Sequence, residues 1–256
     1  AGDALPRGEV GLALALADKL DTVVGLFGIG ERPSGDKDPF ALRRHALGIV
    51  RMLLEREEAL RALPLSALLA IGNTAFQGVP GYQDPTAELA AFVRERLANW
   101  LREQGYTALE VDAVLALQPQ FLAEVPRRLD AVRAFSALPE AQALAAANKR
   151  VGNILKKSEL AVSSDALDPS RLVEPAEQAL AQALQTIAPQ ADAAYARGDY
   201  TAALKALAAL KAPVDAFFDS VMVNADDPLL RANRLALLAR LQAAMNQVAD
   251  LSRLAA

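Results

Sequence analysis

Between Lys149 and Lys157 the chain places four cations, Lys149, Arg150, Lys156 and Lys157, together with Asn153 and with no acid among them. If LPEAQALAAANKRVGNILKKSE, from Leu138, is one helix, a 100° step per residue puts these five side chains in a sector of about 100°. Leu144, Ala147, Val151, Ile154 and Leu155 take the opposite sector. Cations grouped on a solvent face suit contact with the phosphate backbone of a nucleic acid. Charge complementing the carbonyl end of a helix accounts for Lys156 and Lys157, but not for Lys149 or Arg150. With a net charge of −4, any such contact must come from this local patch and not from a global field.

A second group of candidates lies in FFDSVMVNADDPLLRANRLALLARLQAAMNQVADLSRL, from Phe217 to Leu254. Phe217 or Phe218 could stack on an unpaired base, although neighbouring helical residues point about 100° apart, so at least one belongs to the core. Pro228 opens a long terminal helix in which Leu230, Leu237, Leu238, Leu241, Met245 and Val248 form an apolar stripe. Arg234 falls within that stripe and Arg231 at its rim. A guanidinium in such a place needs a partner: Asp219, Asp226 or Asp227 in one reading, a phosphate or base edge in the other.

Other chemistries find few residues to work with. Cys is absent and His45 is the single imidazole, which rules out disulfides, thiolate metal sites and His clusters. His45 lies in the helical pattern LRRHALGIVRML and is expected to be a surface or satisfied residue. Asp18 and Asp21, three apart in EVGLALALADKLDTVVGLF, are neighbours on one helix face, but two carboxylates are too few for a metal. The Gly-rich FGIGERPSGDKDPF does not run Gly-Lys-Ser/Thr into a helix, nor does a strand precede it, so it is not read as a phosphate loop. Neither a catalytic residue nor a metal ligand is expected.

The elements that must position these residues read as all-α, with no strand-like alternation. Asp38 and Pro39 are expected to cap and open DPFALRRHALGIVRMLLE, and Asp84 and Pro85 to restart a helix that ends at Gly105. Thr107 and Glu110 form a capping box. Further helices are expected from Pro175 to about Ile187, Gln190 to Arg197 and Asp199 to Ala212. The apolar runs ALPLSALLAIG and GLALALADKLD are too short or interrupted to span a bilayer, and with no leader at the start the chain reads as cytoplasmic.

FFDSVMVNADDPLLRANRLALLARL, preceded by RGDYTAALKALAALKAPVDA, resembles the anticodon-binding domain of the bacterial glycyl-tRNA synthetase β-subunit family, a helical domain of the DALR type. ANKRVGNIL resembles the opening of that domain, and KDPFALRR a further segment of the same family. The Asp-Ala-Leu-Arg tetrapeptide itself does not occur, so the resemblance rests on extended similarity. ADKLD resembles the last helix of an HD-type domain, and the N-terminus is read as a cut edge. The resemblance implies an HD-like remnant over residues 1–58, a helical connector over 59–137 and the anticodon-binding bundle over 138–256. It further implies glycine tRNA and an α subunit as partners, with ATP used by the holoenzyme and none bound by this fragment. Lys149, Arg150, Lys156 and Lys157 would dock phosphates, while Asn153, Phe217, Asn224 and Arg231 would read splayed-out bases. Arg43 and Arg44 would touch the tRNA body. An RNA-independent helical scaffold and the remnant of an HD-type metal phosphohydrolase are the competing readings.

Overall fold

Apolar residues at helical spacing, punctuated by Pro and Gly, produce helices throughout residues 4–158 and 163–255, which the computed structural model describes. Among these residues no strand forms, and the expected all-α class is what is observed. Glu159, the last residue of the basic stretch, lies outside the described residues. The chain divides into two compact units, residues 1–111 with 118–126 and residues 112–117 with 127–256.

In the first unit, α1 (Glu9–Gly28) buries Leu12, Leu16, Leu20, Val23 and Phe27 at steps of three to four residues. α2 (Leu42–Glu55) packs against it and buries Leu42, Ala46, Ile49, Val50 and Leu53. This helix starts later than Asp38 and Pro39 suggest, because Ala41 adopts a left-handed backbone (φ 54°). Asp38 still caps it from upstream, accepting the N–H groups of Leu42 (2.8 Å) and Arg43 (3.0 Å). In the Gly-rich segment, Ser34 and Lys37 exchange backbone hydrogen bonds of 3.0 and 2.9 Å, so those amides are used within a turn.

A short α3 (Glu57–Leu60) and α4 (Leu65–Thr74) precede α5 (Thr86–Glu103), which buries Leu89, Val93, Leu97 and Leu101. The expected capping box opens α6 (Ala108–Leu115). There the Thr107 N–H donates to Glu110 at 2.7 Å, and the Glu110 N–H to Thr107 Oγ1 at 3.3 Å.

The second unit is built from most of α7 (Val125–Ser136), then α8 (Ala141–Lys157), α9 (Pro175–Ala196), α10 (Tyr200–Leu207), α11 (Lys211–Ser220) and α12 (Pro228–Met245). Where two helices were expected on either side of Pro189, one continuous 22-residue α9 forms with Pro189 inside it. Leu180 and Leu184 before the proline and Ala191 and Ala194 after it are all buried, on a helix that packs against α10, α11 and α12. That shared packing offsets the ~3 kcal/mol an interior proline costs.

Gly198 (φ 73°) ends α9, and Asp199 caps α10 by accepting the Ala202 N–H at 2.9 Å, as the sequence suggests. The run expected to continue to Ala212 instead tightens into a 3-10 turn at Ala208–Leu210 before α11 begins. α12 starts as expected, with Pro228 in its first turn and Asp227 accepting the Leu229 N–H at 2.8 Å. It stops at Met245, and Val248 is buried from the following turn.

Candidate nucleic-acid interface

α8 presents Lys149, Arg150, Asn153, Lys156 and Lys157 to solvent, while Leu144 and Val151 are buried behind them. Two devices on the inner face hold this ridge. Asn148 is fully buried and donates through Nδ2 to Asn246 Oδ1 at 2.7 Å, and the same oxygen accepts the Leu251 N–H at 3.2 Å. At Gly152 a Cβ would stand 3.1 Å from Gln242 Nε2, so the absent side chain leaves room for the Gln242 amide of α12 against α8.

Where the C-terminal end of α8 meets the first turns of α12, a groove of about 810 Å³ opens. Ile154 and Lys157 line it from α8, Asn224 from the preceding loop, and Leu229, Arg231 and Ala232 from α12. Lys157, Asn224 and Arg231 are three of the sequence candidates, and the fold brings them together. Asn224 is exposed and Arg231 half-buried. Leu229 on its wall is 57% exposed, and Met222, in the same connecting loop as Asn224, is 73% exposed. Apolar walls carrying a few cations and an amide can take a base as well as its phosphate. By the 100° step, Arg150 and Lys157 share one face of α8, with Ile154 at the border of the apolar sector beside them and Lys149 and Lys156 roughly 100° around on the other side.

Two candidates behave differently from the expectation. Phe217 is 0% exposed, a core residue that cannot offer its ring to a base. Its position on the inward side of α11 leaves Phe218 as the half-buried ring, over which the Arg150 guanidinium sits at 4.2 Å. Arg234 is buried as the stripe requires, but its ion-pair partner is Glu177 of α9 and not Asp219, Asp226 or Asp227. Asp227 is engaged in capping α12, while Asp219 and Asp226 face solvent. Arg234 also donates to the Met222 carbonyl at 2.7 Å, which ties α12 to the groove loop.

Sequence reading missed several buried polar groups. Glu177 accepts the N–H groups of Val173 (2.8 Å) and Glu174 (2.9 Å) while pairing with Arg234, so one carboxylate caps α9 and balances the buried charge of Arg234 on α12. Its place three residues after Glu174-Pro175 was a readable capping signal; its partner 57 residues away was not. Asn233 makes a reciprocal pair with the Asp168 backbone, accepting its N–H at 2.7 Å and donating to its carbonyl at 3.0 Å. Arg128 donates to the carbonyls of Gln247 (3.1 Å) and Val248 (3.2 Å) and to the Tyr195 hydroxyl (2.8 Å).

In the first unit, Arg44 is exposed, whereas Arg43 is half-buried in a cleft with Phe27, Arg32, Glu88, Phe92 and Arg96. Glu88 already holds Arg32 through two contacts of 2.5 Å. His45 is half-buried, and its pKa is lowered from the ordinary 6.5, first by burial and then by the charge of Lys19. Asp18 and Asp21 are both exposed, and among the described residues no group of three or more His, Cys, Asp or Glu could hold a metal ion. Nor is any described helix long and apolar enough to cross a membrane.

Comparison with known families gives two matches. Residues 1–116 match the glycyl-tRNA synthetase beta subunit family, and residues 144–252 match the DALR anticodon binding domain. The second match takes in the α8 ridge, the groove and all of α9 to α12. Similar relatives include the glycine–tRNA ligase beta subunits of Dechloromonas aromatica (63% identical over 256 residues) and Thiobacillus denitrificans (64% over 257). That of Leptothrix cholodnii is 63% identical. Each match covers 100% of this chain and 35%, 36% and 35% of the relative, so the chain spans about a third of the length of these curated proteins. Similarity of this strength along the whole chain, with both family matches in place, shows that the chain belongs to the glycyl-tRNA synthetase β-subunit family and carries a DALR anticodon-binding domain.

Proposed function

We propose that this chain is the tRNA-recognising part of a two-subunit, cytoplasmic glycine–tRNA ligase, and that residues 138–256 hold the anticodon loop of glycine tRNA. An α subunit would carry the ATP and glycine chemistry, and no step of that chemistry falls to residues of this chain. The observation that carries the reading is the groove that gathers Lys157, Asn224 and Arg231 beside the exposed cations of α8. Lys149 and Lys156, turned away from the groove, dock the phosphate backbone, while Asn153, Lys157, Asn224 and Arg231 meet splayed-out bases. Arg43 and Arg44 supply a separate contact to the tRNA body from the first unit.

Titration of the chain with glycine tRNA at low and moderate salt tests this. Binding should weaken steeply with salt, and Lys149→Ala with Lys156→Ala should weaken it further and flatten its salt dependence. Asn224→Ala should instead change the preference among tRNAs. A chain that shows no affinity for tRNA at low salt, or a double variant with the parental affinity and salt slope, removes the basis of the reading.

A further inference from the structure

Arg150 is seated unlike the lysines that flank it. Its guanidinium carbon lies 4.2 Å from the centroid of the Phe218 ring. Phe218 is braced edge-on by Phe217, with ring centroids 5.5 Å apart and planes at 82°. Because Phe217 is fully buried and Arg150 exposed, the three groups form a stack that runs outward from the core and ends in a cation. Phe218 covers one side of that cation, and Arg150 is nonetheless an exposed residue. A guanidinium is planar and weakly hydrated, so its free face offers a surface on which another flat ring can stack. A lysine ammonium in the same place would be a hydrated point charge with no such surface. Arg150 also shares its helix face with Lys157, which lines the groove about two turns further on, and Ile154, at the border of the apolar sector, lines it about one turn on.

We infer that Arg150, seated on Phe218, is a stacking plate for an unpaired nucleobase of the bound RNA at the head of the groove, and not one more phosphate contact. The inference rests on the RNA-binding reading of the same site and gives Arg150 a part in it that the neighbouring lysines do not share. Phe218 acts through Arg150 as its positioning residue.

The test uses the 256-residue chain and glycine tRNA carrying 2-aminopurine at successive anticodon-loop positions, with binding and fluorescence quenching followed together. The unaltered chain should quench one position strongly. Arg150→Lys keeps the charge but lacks the plate. It should lose that quenching and bind about tenfold more weakly, as base stacking of ordinary strength requires, with its salt slope unchanged. Arg150→Gln should match it. Phe218→Leu, shown to be folded by circular dichroism, should lose part of the quenching while the charge stays in place.

An Arg150→Lys chain with parental affinity and quenching overturns the inference and leaves the RNA-binding reading standing. So does an Arg150→Gln loss that comes with a salt slope lower by about 0.7 to 0.9, the mark of a phosphate contact. Failure of the unaltered chain to bind tRNA at low salt removes both.

Discussion

Arg234 and Arg150 are both guanidiniums on helices of the second unit, and they meet opposite fates. Arg234 is 5% exposed and pairs with Glu177, itself 0% exposed, while Arg150 stands in solvent over an aromatic ring. Desolvation makes the difference. A buried cation must have its partner within the fold, whereas an exposed one can leave a face for a ligand. The same contrast separates the Asn148–Asn246 and Asn233–Asp168 contacts, which are spent on the fold, from Asn224, which lines an open groove.

The strongest way to break this comparison is to remove the buried partner. Glu177→Ala leaves Arg234 charged and unpaired in the core, and urea unfolding should report a loss of about 3–5 kcal/mol. A loss below about 1 kcal/mol would mean the pair is not sealed from water.

Next in size is Asn233→Ala, which strips both hydrogen bonds from the buried side of the Asp168 backbone; about 1–3 kcal/mol should be lost in the same assay. On the exposed side, Lys149→Ala with Lys156→Ala should leave stability within ~0.5 kcal/mol of the parent. Its effect should appear only in tRNA affinity and salt slope. Stability loss here comparable to Glu177→Ala would erase the distinction between the two kinds of cation.

The smallest expected effect involves His45. Its folded pKa lies below the ordinary 6.5, chiefly through burial and then through Lys19, so the unfolded chain binds the proton more readily. The stability it contributes is therefore fully present above 6.5 and falls as the pH drops below that value toward the folded pKa. His45→Gln should flatten this part of the unfolding profile between neutral and mildly acidic pH; a profile identical to the parent's would show that His45 is not desolvated.

Much of the fold was legible because local chemistry set it. The Thr107–Glu110 box, the Gly198–Asp199 turn and the Asp227–Pro228 start appear where the residues place them, since caps and breakers act over three or four positions. The exposed sector of α8 was legible too, because helical periodicity alone sorts its cations from its apolar residues. Pro189 misled, since its local preference for ending a helix was overridden by packing on both sides of it. Ala41 misled in the other direction: nothing in its side chain announces a left-handed backbone.

By itself the amino-acid order determined which helices form, where most of them stop and which cations share a surface, all consequences of interactions within one or two turns. Only tertiary structure decided that Phe217 and not Phe218 enters the core and that Arg234 pairs with Glu177. It also decided that Lys157, Asn224 and Arg231 border one groove. Those outcomes depend on which helix faces which, and burial penalises every unpaired charge and open cavity across the whole unit at once, a sum that no short window of sequence contains.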